Sequence, residues 1–356
     1  MIDPRTSALF STVATGGAGI ETAILDHSPI RQSSWFDAVV ADAVVTGRYL
    51  PIETGATDEV STVAIADLRD DELVELAMEL PDGATPTADR ETGELLVPTA
   101  TSVVSVDPAD GTGREIGALD AGEGTDRAEA AATRPDCGRI AAGLTRSVDG
   151  DSIGLGTIDG ETFRVGALDT ATGTVESWHD RTWPAARVSY SPTDPSLLLF
   201  ARTSEQDSDA PAGTALLARK GLGARPLDEL LPDRHDGHWW DPDGTGIWYV
   251  SPDGVEYLDL ELARRELVWS IPAARAHATA DGRLVAVTTD GAEPSIRVSD
   301  RNTGEHIEVG TGPASADERP VQPQFVGNDE ALAYTTEVDG ELTLALAPVE
   351  AIRSCF

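Results

Sequence analysis

Two histidines standing just before turns carry the first chemical signal in this chain. His238 lies in Gly237-His238-Trp239-Trp240, ahead of the turn Asp241-Pro242-Asp243-Gly244. His277 lies in Arg275-Ala276-His277, ahead of Asp281-Gly282. Asp317, Gln322 and Gln324 stand at the same phase of the last such unit, and Arg187, Tyr190 and Ser191 at that phase of an earlier one. Two imidazoles, a carboxylate and an amide gathered at one place could hold a divalent metal. The same groups could equally line a polar channel filled with water. No two of them form a tight local ligand pair, so either arrangement depends on tertiary structure.

The elements that must do the gathering are strands. Ile247 to Val250 is a β-branched and aromatic run after a Pro-Asp-Gly turn, the composition of a strand leaving a turn. Turn-plus-strand starts recur at Gly47, Gly93, Gly138, Asp194, Gly244, Gly282 and Asp329. Their spacing of roughly 45 residues is that of a repeat built from short antiparallel strands. Period-two alternation dominates, as in Ile296-Arg297-Val298-Ser299. Leu68 to Leu80 fits a helical period only loosely and reads equally as two strands joined at Asp70-Asp71. The expectation is an all-β, seven-bladed β-propeller over residues 35–356, with residues 1–34 supplying a closing strand or a flanking loop. In that fold the first strand of each blade lines a central channel.

Composition narrows the classes. Sixty-two acidic residues against 26 Lys plus Arg give a net charge of -36, and Lys220 is the only lysine. Apolar strand patterns continue along the chain, so this acidity is not the signature of disorder. It fits a haloarchaeal-type cytoplasm, where carboxylates hold water and counter-ions and molar salt screens self-repulsion to a Debye length of about 3 Å. No basic patch is present to displace counter-ions from nucleic acid. No stretch approaches the roughly 18 apolar residues of a membrane helix, and the start lacks a secretory pattern. The expected location is therefore cytoplasmic, with neither nucleic acid nor membrane as partner. Cys137 and Cys355 are too few for a disulfide framework or a zinc site. His27, His179 and His306 read as surface residues.

The segment Val188-Ser189-Tyr190-Ser191-Pro192 through Phe200, followed by Gly237-His238-Trp239-Trp240 to Tyr249, resembles the oligogalacturonate lyase family. The resemblance covers residues 187 to about 349. It implies a propeller that cleaves short pectin fragments by β-elimination with a divalent metal, typically Mn²⁺. His238 falls on the family's proposed base, and His277 matches a metal-binding histidine loosely. Asp317 and Gln322 stand about where the remaining metal ligands would be, and Arg187 and Arg202 are the residues to pair with substrate carboxylates. The chain departs from the family in several places. Trp239 replaces a Glu, Arg187 a His, Ala201-Arg202-Thr203 a Cys-His-Glu, and Gln322-Pro323-Gln324 a Glu-Pro-Asn. Thr214-Ala215-Leu216 stands where the family has Arg-Ile-Trp. Two functions therefore compete: a divergent lyase for oligo-uronides, and a non-catalytic propeller that binds a sugar, a peptide or another protein after losing the metal site. No Gly-x-Ser-x-Gly elbow is present to suggest a peptidase.

Overall fold

A computed structural model describes residues 10–25, 49–54, 61–67, 72–80, 87–88, 92, 94–99, 102–118, 140–159, 162–181, 185–202, 215–227, 230–231, 236–289, 294–312, 323–326, 329–339 and 341–356. The turn residues do what their types predict: Gly244 and Gly282 adopt positive φ between two strands. In chain order the strands are β1 (Phe10–Thr15), β2 (Ile20–Leu25), β3 (Tyr49–Thr54), β4 (Ser61–Asp67), β5 (Glu72–Leu80), β6 (Thr87–Ala88), β7 (Leu95–Pro98), β8 (Ser102–Val106) and β9 (Gly113–Ala118). There follow β10 (Ile140–Arg146), β11 (Ser152–Asp159), β12 (Thr162–Asp169), β13 (Val175–Arg181), β14 (Ala185–Tyr190), β15 (Leu197–Arg202), β16 (Ala215–Arg219) and β17 (Gly223–Pro226). The remainder are β18 (Asp236–Trp240), β19 (Gly246–Ser251), β20 (Gly254–Asp259), β21 (Arg264–Trp269), β22 (Ala273–Ala278), β23 (Leu284–Thr289), β24 (Ser295–Asp300), β25 (His306–Thr311), β26 (Gln324–Val326), β27 (Ala331–Val338) and β28 (Glu341–Pro348), before a short helix α1 (Val349–Arg353).

These strands form seven separate sheets, and every strand pairing in them is antiparallel. Five are four-stranded meanders: β6–β9, β10–β13, β14–β17, β18–β21 and β22–β25. The sheet β3–β5 has three strands, and the last runs β1-β2-β28-β27-β26. Its outer pair is the N-terminal hairpin, which enters through Ala23 opposite Leu346 and Ile24 opposite Ala345. Gly16, at positive φ in that hairpin's turn, presses on the Val309 backbone so closely that a Cβ would collide with it. The loosely helical stretch 68–80 is the strand β5 over most of its length.

From β6–β9 onward, successive sheets bury apolar faces against one another. Leu144, Ile153 and Leu155 join β10–β13 to Leu96 and Val103 of the sheet before it. Val188, Tyr190, Leu198 and Phe200 pack on Val165 and Trp178. Trp240, Ile247 and Tyr249 pack on Leu199 and Leu217, and Ala276, Ala278 and Val285 on Trp248 and Val250. Leu332, Tyr334, Ile20 and Ile24 close over Leu284 and Ile296. A fully buried side chain of this kind contributes about 1.5–3 kcal/mol, which makes these seams the main stabilising element.

The expected seven-bladed propeller is corrected by this arrangement. Among the described residues no sheet closes on itself, and the five cores join six sheets in an open series. A turn period reports that similar meanders follow one another; closing a ring needs contacts between the two ends of the series, which no local spacing encodes. The phase of the period also slips. Asp194, Gly244, Gly282 and Asp329 precede the second strand of their sheets, whereas the starts at 47 and 138 precede the first strands β3 and β10.

Candidate functional site

The five hairpins that open the sheets from β10 onward share one register. Their last ladder pairs are Arg146–Ile153, Tyr190–Leu198, Trp240–Ile247, Ala278–Val285 and Val326–Ala331. Counting back from those pairs sorts the first strands into layers, because successive side chains leave a strand on opposite faces. One residue back stand Thr145, Ser189, Trp239, His277 and Phe325. Two back stand Leu144, Val188, His238, Ala276 and Gln324. Three back the bulges break the count: Arg275 lies opposite Thr288, whereas the matching ladder positions on β14 and β18 are Ala186, opposite Ala201, and Asp236, opposite Val250.

His277 thus belongs to the layer of Trp239 and not to that of His238. Its ring lies 5.7 Å from Trp239 at an interplanar angle of 28° and 6.1 Å from Phe325. Trp239 in turn stacks on Trp248 at 6.2 Å and 7°. The Phe325 N–H donates to His277 Nδ1 at 3.1 Å. Thr145 does the same work at the seam between β10 and β14, accepting the Tyr190 N–H at 2.8 Å. A side chain in this layer receives a backbone N–H from the next sheet and ties the two first strands together.

His238 occupies the buried layer. It is 8% exposed and pairs across the ladder with Tyr249. Gln324, at 1% exposed, and Val188, at 1%, hold the equivalent positions on β26 and β14. Since His238 and Trp239 are adjacent and both paired on β18, His238 and the residues of the Trp239 layer, His277 among them, leave their strands on opposite faces. Trp240 returns to the His238 side and donates from Nε1 to Ser189 O at 3.3 Å.

Three arginines occupy positions toward the beginning of first strands or opposite it. Arg187 is three residues before the end of the β14 ladder, and Arg202 ends β15 opposite Ala185. Arg275 stands near the start of β22, opposite Thr288; it is half-buried and donates from Nη1 to Ala274 O at 3.2 Å. The sequence alone gave Arg275 no role, although the Arg-x-His spacing on one strand face was the available signal. Asp317 and Gln322 lie outside the described residues.

At the turn end of the same hairpin sits a carboxylate pair. Asp241 Oδ1 accepts the Trp248 Nε1–H at 2.9 Å, and Asp243 Oδ1 accepts from Thr245. Burial, then the neighbouring Asp243 carboxylate, pushes the Asp241 carboxyl up to about 6, while the Thr245 hydroxyl holds Asp243 below the usual range. Burial likewise raises the Tyr190 phenol. His306 is exposed, as expected from the sequence, against Trp269; His179 is half-buried beside Phe200.

The described positions do not make a manganese site, which corrects the metal-binding expectation. Among the described residues no three His, Cys, Asp or Glu side chains come together as a metal would require. His277 already spends Nδ1 on a backbone N–H, and its ring is covered by Trp239 and Phe325. Nor is any described helix long and apolar enough to cross a membrane.

No family model and no curated protein sequence matches the chain. Solved structures do. An oligogalacturonate lyase in complex with manganese is 18% identical with a TM-score of 0.72, over 95% of this chain and 96% of that one. An oligogalacturonate lyase from Vibrio parahaemolyticus is 17% identical with a TM-score of 0.75, over 96% of both chains. A hydrazine synthase from Kuenenia stuttgartiensis aligns at 12% identity and a TM-score of 0.55, over 88% of this chain and 96% of that one. The chain is thus distantly similar in structure to oligogalacturonate lyases along most of its length, and at these identities the likeness is one of fold.

Proposed function

We propose that this chain binds short oligo-uronides at the end of the molecule where the first strands begin, as a binding protein and not as a metal-dependent lyase. The observation that supports binding is the end-to-end structural likeness to oligogalacturonate lyases, together with arginines near the start of β14 and β22 and at the end of β15. Arginine pairs with carboxylates through two parallel N–H donors, which suits a uronate. The observation that supports a loss of metal chemistry is the commitment of His277 to Phe325. Calorimetric titration with digalacturonate at high salt tests the reading. Binding that survives a chelator, with no unsaturated product by ultraviolet absorbance, is the expected result; absence of binding sinks it.

A second reading is favoured by His238. A histidine on a first strand, next to a glycine that removes a side chain, is the position of a base for β-elimination. In that chemistry a neutral imidazole takes the proton beside the uronate carboxylate, while arginines neutralise the charge that develops there. A ring that is 8% exposed needs the strand start to open before a sugar reaches it. Formation of unsaturated uronide, abolished by His238→Ala, would establish this reading over simple binding.

A further inference from the structure

We propose that β21 is a dimerisation edge, on which a second copy of this chain adds its own β21 in antiparallel pairing about a two-fold axis at Arg265. This surface is independent of the oligo-uronide reading: in the order β18-β19-β20-β21, β21 lies at the opposite edge from the first strand. An edge strand presents a row of backbone donors and acceptors that another strand can pair. Two other outer strands are guarded. β17 has four residues and ends at Pro226, which has no N–H to offer. On β25 the Glu308 carbonyl accepts the Ala18 N–H of the N-terminal hairpin. β21 runs for six residues without proline, and Arg264 to Leu267 are exposed.

The order of the β21 side chains fits a copy of itself. A two-fold axis perpendicular to the sheet at Arg265 sets Arg264 opposite Glu266 of the second copy, and Glu266 opposite its Arg264. Arg264 and Glu266 leave the strand on the same face, so both pairs form between directly opposed side chains. Moving the axis one residue either way removes both pairs. Glu266 Oε1 also accepts from Arg301 Nη2 at 2.6 Å, which holds it in place. The two Arg265 guanidiniums meet at the axis, and each has Glu256 at hand. Both residues line a surface cavity of about 460 Å³, together with Asp253, Ala263, Arg264 and Leu267. Glu256 is buried and accepts the Tyr249 hydroxyl at 2.7 Å, so its carboxylate is fixed. Leu267, 48% exposed, comes to the Leu262-Ala263 turn of the second copy, where Leu262 is 66% exposed. Association covers these leucines on both copies, as an isologous interface requires.

Sedimentation of the full chain at about 100 µM, a concentration that populates a dimer of micromolar Kd, tests the proposal. A net charge of -36 on each copy opposes association until salt screens it, so the dimer is expected to strengthen between about 0.1 M and about 3 M KCl. Charge reversals are then compared at the lowest salt at which the wild type is dimeric. Arg264→Glu and Glu266→Arg, each alone, are expected to associate about tenfold more weakly, because both pairs become like-charged. An equimolar mixture of the two variants is expected to regain wild-type association, since every substituted position then meets its opposite. Circular dichroism checks that each variant folds. Hydrogen exchange at the amides of Arg264 to Leu267 gives a second measure that needs no variant, and should slow as the wild-type dimer forms. A wild type that stays monomeric at every salt concentration, a dimer that both folded variants leave intact, a mixture no stronger than its components, or unchanged exchange in the dimer overturns the proposal.

Discussion

His277 Nδ1 accepts the backbone N–H of Phe325 at 3.1 Å, across the seam between β22 and β26. The bond joins the last two sheets of the series at their first strands, where a loose seam would open a path into the core beneath. It also turns the histidine that reads in sequence as a metal ligand into a tie between strands.

His277→Ala is therefore expected to destabilise the fold by about 1–3 kcal/mol, the cost of leaving a buried donor without its acceptor. His277→Phe keeps the stacking and loses only the bond, so it should fall between wild type and Ala. Denaturant unfolding gives the stabilities, and hydrogen exchange at the Phe325 amide locates the effect. An unchanged exchange rate in His277→Ala would refute the tie.

Asp300 is fully buried and accepts two bonds from Arg283, at 2.9 and 2.6 Å, and one from the Asn302 N–H. The Arg283 guanidinium, followed by the Asn302 N–H against the opposing effect of burial, holds its carboxyl below the usual range. A depressed folded value means that the stabilisation is present above the ordinary aspartate range and is lost as pH falls through the folded value. Unfolding should accordingly become easier below about pH 4. Asp300→Asn should be less stable at neutral pH and show a flatter acid limb; identical acid limbs would exclude Asp300 as a source of the acid sensitivity.

Asp241 gives the opposite slope. Its carboxyl is pushed up to about 6, chiefly by burial. The folded state therefore holds a proton that the unfolded chain releases near pH 4, and this group's contribution to stability falls as pH rises from about 4 to 6. Asp241→Asn keeps an oxygen acceptor for Trp248 Nε1 and removes the charge. It should gain about 1 kcal/mol at pH 8, a figure that allows for solvent screening of a half-exposed group. Tryptophan fluorescence should titrate near pH 6 in wild type and not in the variant. A fluorescence midpoint that persists in Asp241→Asn would assign the titration elsewhere.

A net charge of -36 predicts a strong dependence on salt. Raising KCl from about 0.1 M to about 3 M shortens the screening length from roughly 10 Å to below 3 Å, which weakens repulsion among surface carboxylates. The melting temperature should rise steeply over that range, measured by circular dichroism. A melting temperature independent of salt would remove the halophilic reading.

The sequence by itself determined the strands, their turns and the acidic surface. Ile247 to Val250 is a strand because β-branched and aromatic residues follow a Pro-Asp-Gly turn, and that information is local. It also placed His238, His277 and Arg187 on first strands, since each precedes a turn by a few residues. Tertiary structure decided the rest. Whether His238 and His277 share a face depends on a one-residue difference in register, and such a shift moves a side chain to the other side of the strand. Bulges in β14, β18 and β22 set that register, and the ladders with the following strands reveal it. The capture of His277 by Phe325 and the open series of sheets both arise from contacts between segments far apart in the chain. Residue spacing carries no record of those contacts.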